Sequence, residues 1–354
     1  MQDNIKMIKA LSNANGASGF EDEVLKVAKS YLDQRYAISE DAIRNLYINE
    51  STNDKPVVLL DAHSDEVGLI VQFINPNGTI SFLPLGGWVD TSLPSSKVRV
   101  LNSEGVYIPG IVAAKPPHFM KDRNHPEAIS MADMVVDIGA SSANEVMDDF
   151  KIKIGAPIVP DVDCTYDEKH HLFLGKAFDC RIGVAALIAT MNRLADKTHA
   201  VDVQAVLTSQ EEVGERGACV AAKRTKPNIA IVFEGCPADD TFMEASRIQT
   251  ALGQGPMLRH FDRSMITNPR YQKFVLDLAN KLSIPAQSSV RSGGGTNGAM
   301  YHTALGATPC IVMGIPVRYI HSHHGFVKYE DFENAVKLAV AIIENITADF
   351  IAEF

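Results

Sequence analysis

Acidic and imidazole side chains recur where short apolar runs end: His63 and Asp65 after PVVLL, Asp179 in GKAFDCR, Glu211 and Glu212 after AVLTS, Glu234 in IVFEG, and His321 in IPVRYIHSHHG. Imidazole nitrogens and carboxylate oxygens are the ligands expected of Zn, Co or Mn rather than of a thiolate site. Taken singly, each has a plainer reading, since a lone His near a strand end is usually a hydrogen-bonded structural residue and a lone carboxylate at a helix start is usually a cap. Converging on one edge, they would repel one another and lose solvation without a cation to neutralise them. Three carboxylates (Asp179, Glu212, Glu234) and two imidazoles (His63, His321) exceed what one tetrahedral ion with an open position uses, and suit two ions sharing a bridging carboxylate. Asp65, two residues after His63, falls on the same side of an extended segment and is placed to accept the second ring N–H of His63, fixing its tautomer.

The adjacent pair in TSQEEVGERG raises a separate question. In extended chain successive side chains point to opposite sides, so Glu211 and Glu212 are expected to divide two tasks. One binds metal, and the other faces the substrate as general base for the attack of water on a carbonyl. The plainer alternative makes Glu211 a solvated loop residue or a helix-start acid.

The elements that must position these residues alternate between helix and strand. Ile5, Ile8 and Leu11 mark one stripe of a first helix, and Ser18 with Glu21 reads as a capping box opening a second, FEDEVLKVAKSYLDQ. PVVLL is a buried strand. From about residue 70 to 165 short alternating strands and turn signals replace this pattern, which reads as a β-rich insertion. Helix and strand then resume through CRIGVAALIATMNRLAD, VDVQAVLTS, ERGACVAAKRTK, NIAIVFEG, RYQKFVLDLANKLS, PAQSSV and PCIVMG, and YEDFENAVKLAVAIIENITADFIAEF reads as one long helix. The expected class is α/β, a mostly parallel mixed sheet covered by helices, with ligands beyond its C-terminal strand edges. The domains divide as 1–69 plus 166–354, which carry the strand-end acids and imidazoles, and 70–165 for the β-rich insertion.

Bulk properties narrow the partners. The chain has 354 residues, 46% hydrophobic and 21% charged, with a formal net charge of −10 and no long basic run. Nucleic acid is not an expected partner. No stretch approaches the roughly 20 apolar residues that span a bilayer, and no apolar leader precedes the first helix. Five widely spaced cysteines without a CxxC pair argue against disulfides and a thiolate zinc site, and a cytoplasmic location is expected.

In order, AHSDEVG, GKAFDCRIG, TSQEEVGERGA, VFEG, GGGTNGAMYH and IPVRYIHS closely resemble the M42 family of metallo-aminopeptidases, which includes glutamyl and tetrahedral (TET) aminopeptidases. The resemblance spans nearly the whole chain. It implies that the insertion is a β-barrel-like domain used in dimerisation or assembly, and that the catalytic domain holds two divalent ions, Zn or Co: one held by His63 and Glu234, the other by Glu212 and His321, with Asp179 bridging and Glu211 as base. It also implies release of N-terminal residues from peptides, and homo-oligomers built from dimers up to a hollow tetrahedral dodecamer. Two positions depart from many relatives, Glu234 where Asp is common and Asn297 in a GGT-D-A segment. A metal-dependent deacylase or carboxypeptidase-like amidohydrolase would use a similar centre. A glycosidase would instead need two carboxylates about 5 Å or 6.5–9.5 Å apart across a sugar bond, and Trp88 is the single tryptophan available as a sugar platform.

Overall fold

The computed structural model describes residues 1–50, 54–114, 117–119, 130–304 and 307–354. These form two compact units: Met1–Glu66 with Cys164–Ile320 and His324–Phe354, and Val67–Asp163 with His321–His323.

The first unit is built on an eight-stranded sheet. Its spatial order is Ile38–Glu40, Leu46–Ile48, Asp202–Thr208, Val57–His63, Ile229–Pro237, Cys310–Val317, Met257–Phe261 and Gln287–Val290. Asp202–Thr208, Val57–His63, Ile229–Pro237 and Cys310–Val317 run parallel. Their sequences are continuous apolar runs rather than alternations, and all of Asp202–Thr208 and Cys310–Val317 is buried. That is the signature of strands covered on both faces. The helix Phe178–Leu194 is apolar almost all round and buried at Ile182, Val184, Leu187, Ile188 and Met191, so it packs as a core element rather than as a surface amphipath.

The second unit is a closed barrel of Gly68–Ile74, Ile80–Leu85, Val135–Asp137, Tyr107–Val112, Lys97–Leu101 and Pro157–Pro160. Leu69 and Val71, Ile80 and Phe82, and Val98 and Val100 fill its interior at the period of two that strands impose. Closure leaves no exposed edge. Trp88 donates from Nε1 to Gly68 O at 3.0 Å, which ties it to the barrel wall.

Two local expectations are corrected. The Ser18/Glu21 pair is not a capping box: the second helix is Asp22–Tyr31, Glu21 stands at its N-cap position, and no side chain caps it. The final helix ends at Asn345, because Ile346 is extended, and Thr347 caps a separate short helix, Ala348–Ala352. Among the described residues, no helix is long and apolar enough to cross a membrane.

Behind the parallel strands lies a buried ionic cluster. Lys176 Nζ donates to Glu66 Oε1 and Oε2 at 2.6 and 2.8 Å, and Arg181 Nη2 reaches Glu66 Oε1 at 3.2 Å. All three residues are 1% exposed. Removing one partner of such a set strands the remaining charges in a dry interior. Glu66→Ala is therefore expected to destabilise the fold by about 3–5 kcal/mol, read as a lower urea midpoint of the helical circular-dichroism signal; an unchanged midpoint would count against this account.

Candidate metal centre

His63 is the last residue of Val57–His63, and Thr208 pairs with it as the last of the neighbouring strand. On the other side Val232 pairs with Asp61, so Glu234, two residues on, lies level with His63. Parallel register alone thus brings these groups to one edge. Asp179 arrives from the start of Phe178–Leu194, where φ −85° and ψ 105° place it outside helical geometry; Ala177 before it has φ 55°, and the Asp179–Cys180 peptide is cis. Gly235 permits this approach, since a Cβ there would lie 2.5 Å from Phe178 O and 3.0 Å from Asp179 Cα.

His63 Nε2 lies 3.1 Å from Asp179 Oδ1 and 3.5 Å from Glu234 Oε2. Bonds of about 2.0–2.1 Å place the ligand atoms of a tetrahedral ion about 3.4 Å apart, so these spacings fit one ion. Glu234 is 3% exposed, and its Oε1 has no hydrogen-bond partner among the described residues. A buried carboxylate oxygen with no donor is what a cation would satisfy. Asp65 Oδ1 lies 3.3 Å from His63 Nδ1, on the ring edge away from Asp179, and so favours the tautomer whose Nε2 lone pair faces the cluster.

The two glutamates are not in extended chain, and the expectation that they point to opposite sides is overturned. The strand stops at Thr208, Gln210 has φ 55°, and Glu211 O accepts from Gly214 N and Glu215 N in a turn. Within it, ligand atoms of Glu211 and Glu212 lie in one group with His63, all within 4.8 Å of one another. Asp65 holds the turn from below, accepting from Glu211 N at 3.0 Å and Glu212 N at 3.2 Å. Asn45 ties its ends, accepting from Ser209 N and donating to Gly217 O, both at 3.0 Å.

Electrostatics match the crowding. Burial pushes the Glu211 carboxyl well above its ordinary range, and Glu234, Glu212 and Asp179 push it further while His63 opposes them. Burial also raises Glu234. Burial alone would lower His63, but the surrounding acids, Glu211 foremost, hold it well above its usual value. A divalent ion is a counter-charge that such a crowd of buried acids would favour.

Of the seven predicted residues, His63, Asp65, Asp179, Glu211, Glu212 and Glu234 gather on the first unit. His321 belongs to the stretch grouped with the barrel, where its Nδ1 lies 2.8 Å from Gly87 O. Asn297 lies under the sheet, donating to Asp61 Oδ2 at 2.8 Å and Thr208 Oγ1 at 2.7 Å, so it braces the strand two residues before His63. Cys180 joins the His63, Asp179 and Glu234 group, with its Sγ donating to Phe233 O at 3.1 Å. Its position beside Asp179 in FDCR is the sequence signal for this, and the lack of a CxxC pair makes it a faint one.

The family model of M42 glutamyl aminopeptidases matches residues 45–338, and the chain belongs to that family. It is 30% identical to the glutamyl aminopeptidase of Lactococcus lactis over 350 residues, 98% of this chain and 97% of that one. A TET aminopeptidase from a marine sediment archaeon of the Thaumarchaeota superposes with a TM-score of 0.94 at 35% identity, covering 100% of this chain and 99% of the other. The TET1 peptidase of Pyrococcus horikoshii, which can assemble into a tetrahedron or a large octahedral shell, superposes with a TM-score of 0.87 at 28% identity over 97% of this chain and 100% of its own. The protein is an aminopeptidase, a peptide hydrolase acting at chain ends.

Gly235→Ala forces Phe178 and Asp179 away from Glu234 and is expected to weaken metal affinity about 10–100-fold with the fold intact. Competition with a chromophoric chelator measures this, and wild-type affinity would show that the close approach is not needed.

Proposed function

We propose that this aminopeptidase is a two-metal enzyme in which Glu211 is the general base. The observation that carries the reading is the convergence of Asp179, Glu234 and Glu211 on His63 Nε2, at 3.1, 3.5 and 3.9 Å, in a buried setting. His63, Asp179 and Glu234 would hold one ion, and the resemblance of the TSQEEVGERGA and IPVRYIHS motifs implies that Glu212 and His321 would serve as ligands of a second, with Asp179 common to both. Zinc or cobalt, when bound, would polarise the scissile carbonyl and make an attacking water more acidic.

The chain's own residues do the rest. Glu211 takes a proton from the attacking water and hands it to the departing amine, so the same carboxylate serves as base and then as acid. Burial raises its affinity for a proton, which suits a carboxylate that must carry one between the two transfers. Asp65 keeps the His63 ring in one tautomer and holds the turn that carries Glu211. The glutamyl and lysyl aminopeptidases among its relatives support peptides trimmed from the N-terminus as substrates.

The assemblies of similar TET peptidases support a homo-oligomer of dimers reaching a dodecamer. Five free cysteines suit the reducing cytoplasm. Glu211→Gln is expected to lower turnover of aminoacyl anilides about 10³-fold or more while metal content stays unchanged, and a chelator is expected to abolish wild-type turnover. Retained turnover in the variant removes the base assignment. Preference for N-acylated substrates would favour a deacylase instead.

A further inference from the structure

The SGFE stretch between the first two helices does not cap the helix it precedes, and its polar side chains point elsewhere. Ser18 Oγ donates to Asp65 Oδ2 at 2.6 Å. Glu21 Oε1 accepts from Gly19 N at 2.7 Å and, across 189 positions of sequence, from Gln210 N at 3.2 Å. Asp65 accepts from the next two amides, Glu211 N and Glu212 N. Three successive N–H groups of the loop that carries Glu211 are thus held by two carboxylates.

These carboxylates are poorly explained by stability. Glu21 and Asp65 are both fully buried, at 0% exposure, and Glu21 Oε2 has no hydrogen-bond partner among the described residues. Burial, and then the negative charge of Asp65, push Glu21 up to about 7. A second buried acid beside the first is unfavourable by itself. Its product is a defined loop: Gln210 sits at φ 55°, in the left-handed region that a side chain disfavours, and such conformations persist where the surroundings over-determine them.

We infer that Glu21 is a positioning residue for Glu211, anchoring the 210–212 backbone directly through Gln210, with Ser18 supporting the same loop through Asp65. The inference rests on Glu211 as the base. Glu21 acts through the loop, its carboxylate accepting from Gly19 N and Gln210 N among the described residues. A shift of about 1 Å in a reacting group can cost on the order of 100-fold in rate, so loss of the anchor should register in turnover rather than in binding.

The test compares Glu21→Ala, Glu21→Gln and Glu21→Asp in the metal-loaded full chain, measuring kcat and KM on an aminoacyl anilide, metal content and melting temperature. Glu21→Ala is expected to lower kcat about 10–100-fold, with KM nearly unchanged and metal content intact. Glu21→Gln keeps an oxygen acceptor at the same reach and is expected to stay within a few-fold of wild type. Glu21→Asp, one methylene short, is expected to lose kcat as well, and it carries the test should the alanine variant prove insoluble. Wild-type kcat with only a lowered melting temperature overturns the inference, as does loss of metal from Glu21→Ala, or a Glu21→Gln defect as deep as that of alanine. Glu211→Gln run alongside separates the two claims. If it is inactive while Glu21→Ala is fully active, only the positioning role falls; if it is active, the base reading falls.

Discussion

Four carboxylates reach the imidazole of His63 within 3.9 Å: Asp65 at Nδ1, and Asp179, Glu234 and Glu211 at Nε2. Gathering that much negative charge at the dry end of a sheet is strongly unfavourable unless something positive is placed among it. This one constraint organises the first unit. A divalent ion would supply that charge, and the spacings of His63 Nε2 from Asp179 Oδ1 and Glu234 Oε2 already suit one.

The fold supplies the convergence by register and holds it by anchors that lie behind the chemistry. Parallel pairing brings His63, Thr208 and Glu234 level, and the turn after Thr208 brings Glu211 and Glu212 inward. Arg181 follows Asp179 by two residues and faces the core, donating to Ser64 O, Leu11 O, Ala14 O and Gly16 O and meeting Glu66. It therefore ties the segment carrying His63 to the segment carrying Asp179. Asn297 braces Asp61 from the opposite side, which makes the glycine-rich GGGTNG stretch a support of the sheet.

The sheet and the metal-ligand candidates were legible because the signal is local: a continuous apolar run ending in His, Asp or Glu says both that a strand is buried and where it stops. The short strands Ile38–Glu40 and Leu46–Ile48, and Met257–Phe261, which pairs antiparallel with Cys310–Val317, gave weaker patterns, since three or five residues hardly establish a period. Geometry after a strand end was illegible for a different reason. Period-two reasoning separated Glu211 from Glu212, yet a single left-handed residue, Gln210, ends the extended chain and brings both to one side. Ser18 and Glu21 match a capping box in spacing, and nothing local reveals that their partners are Asp65 and Gln210, far along the chain. Long-range hydrogen bonds of buried acids are the part of such a site that sequence patterns carry least.

The central claim is that the buried acidic cluster is a cation site of two ions, and metal stoichiometry tests it most directly. Chelator-stripped protein titrated with zinc or cobalt, with bound metal counted per chain and aminopeptidase turnover followed in parallel, should take up two equivalents, with turnover appearing as they bind. Full turnover in the stripped protein, or saturation at a single equivalent with full activity, would contradict it.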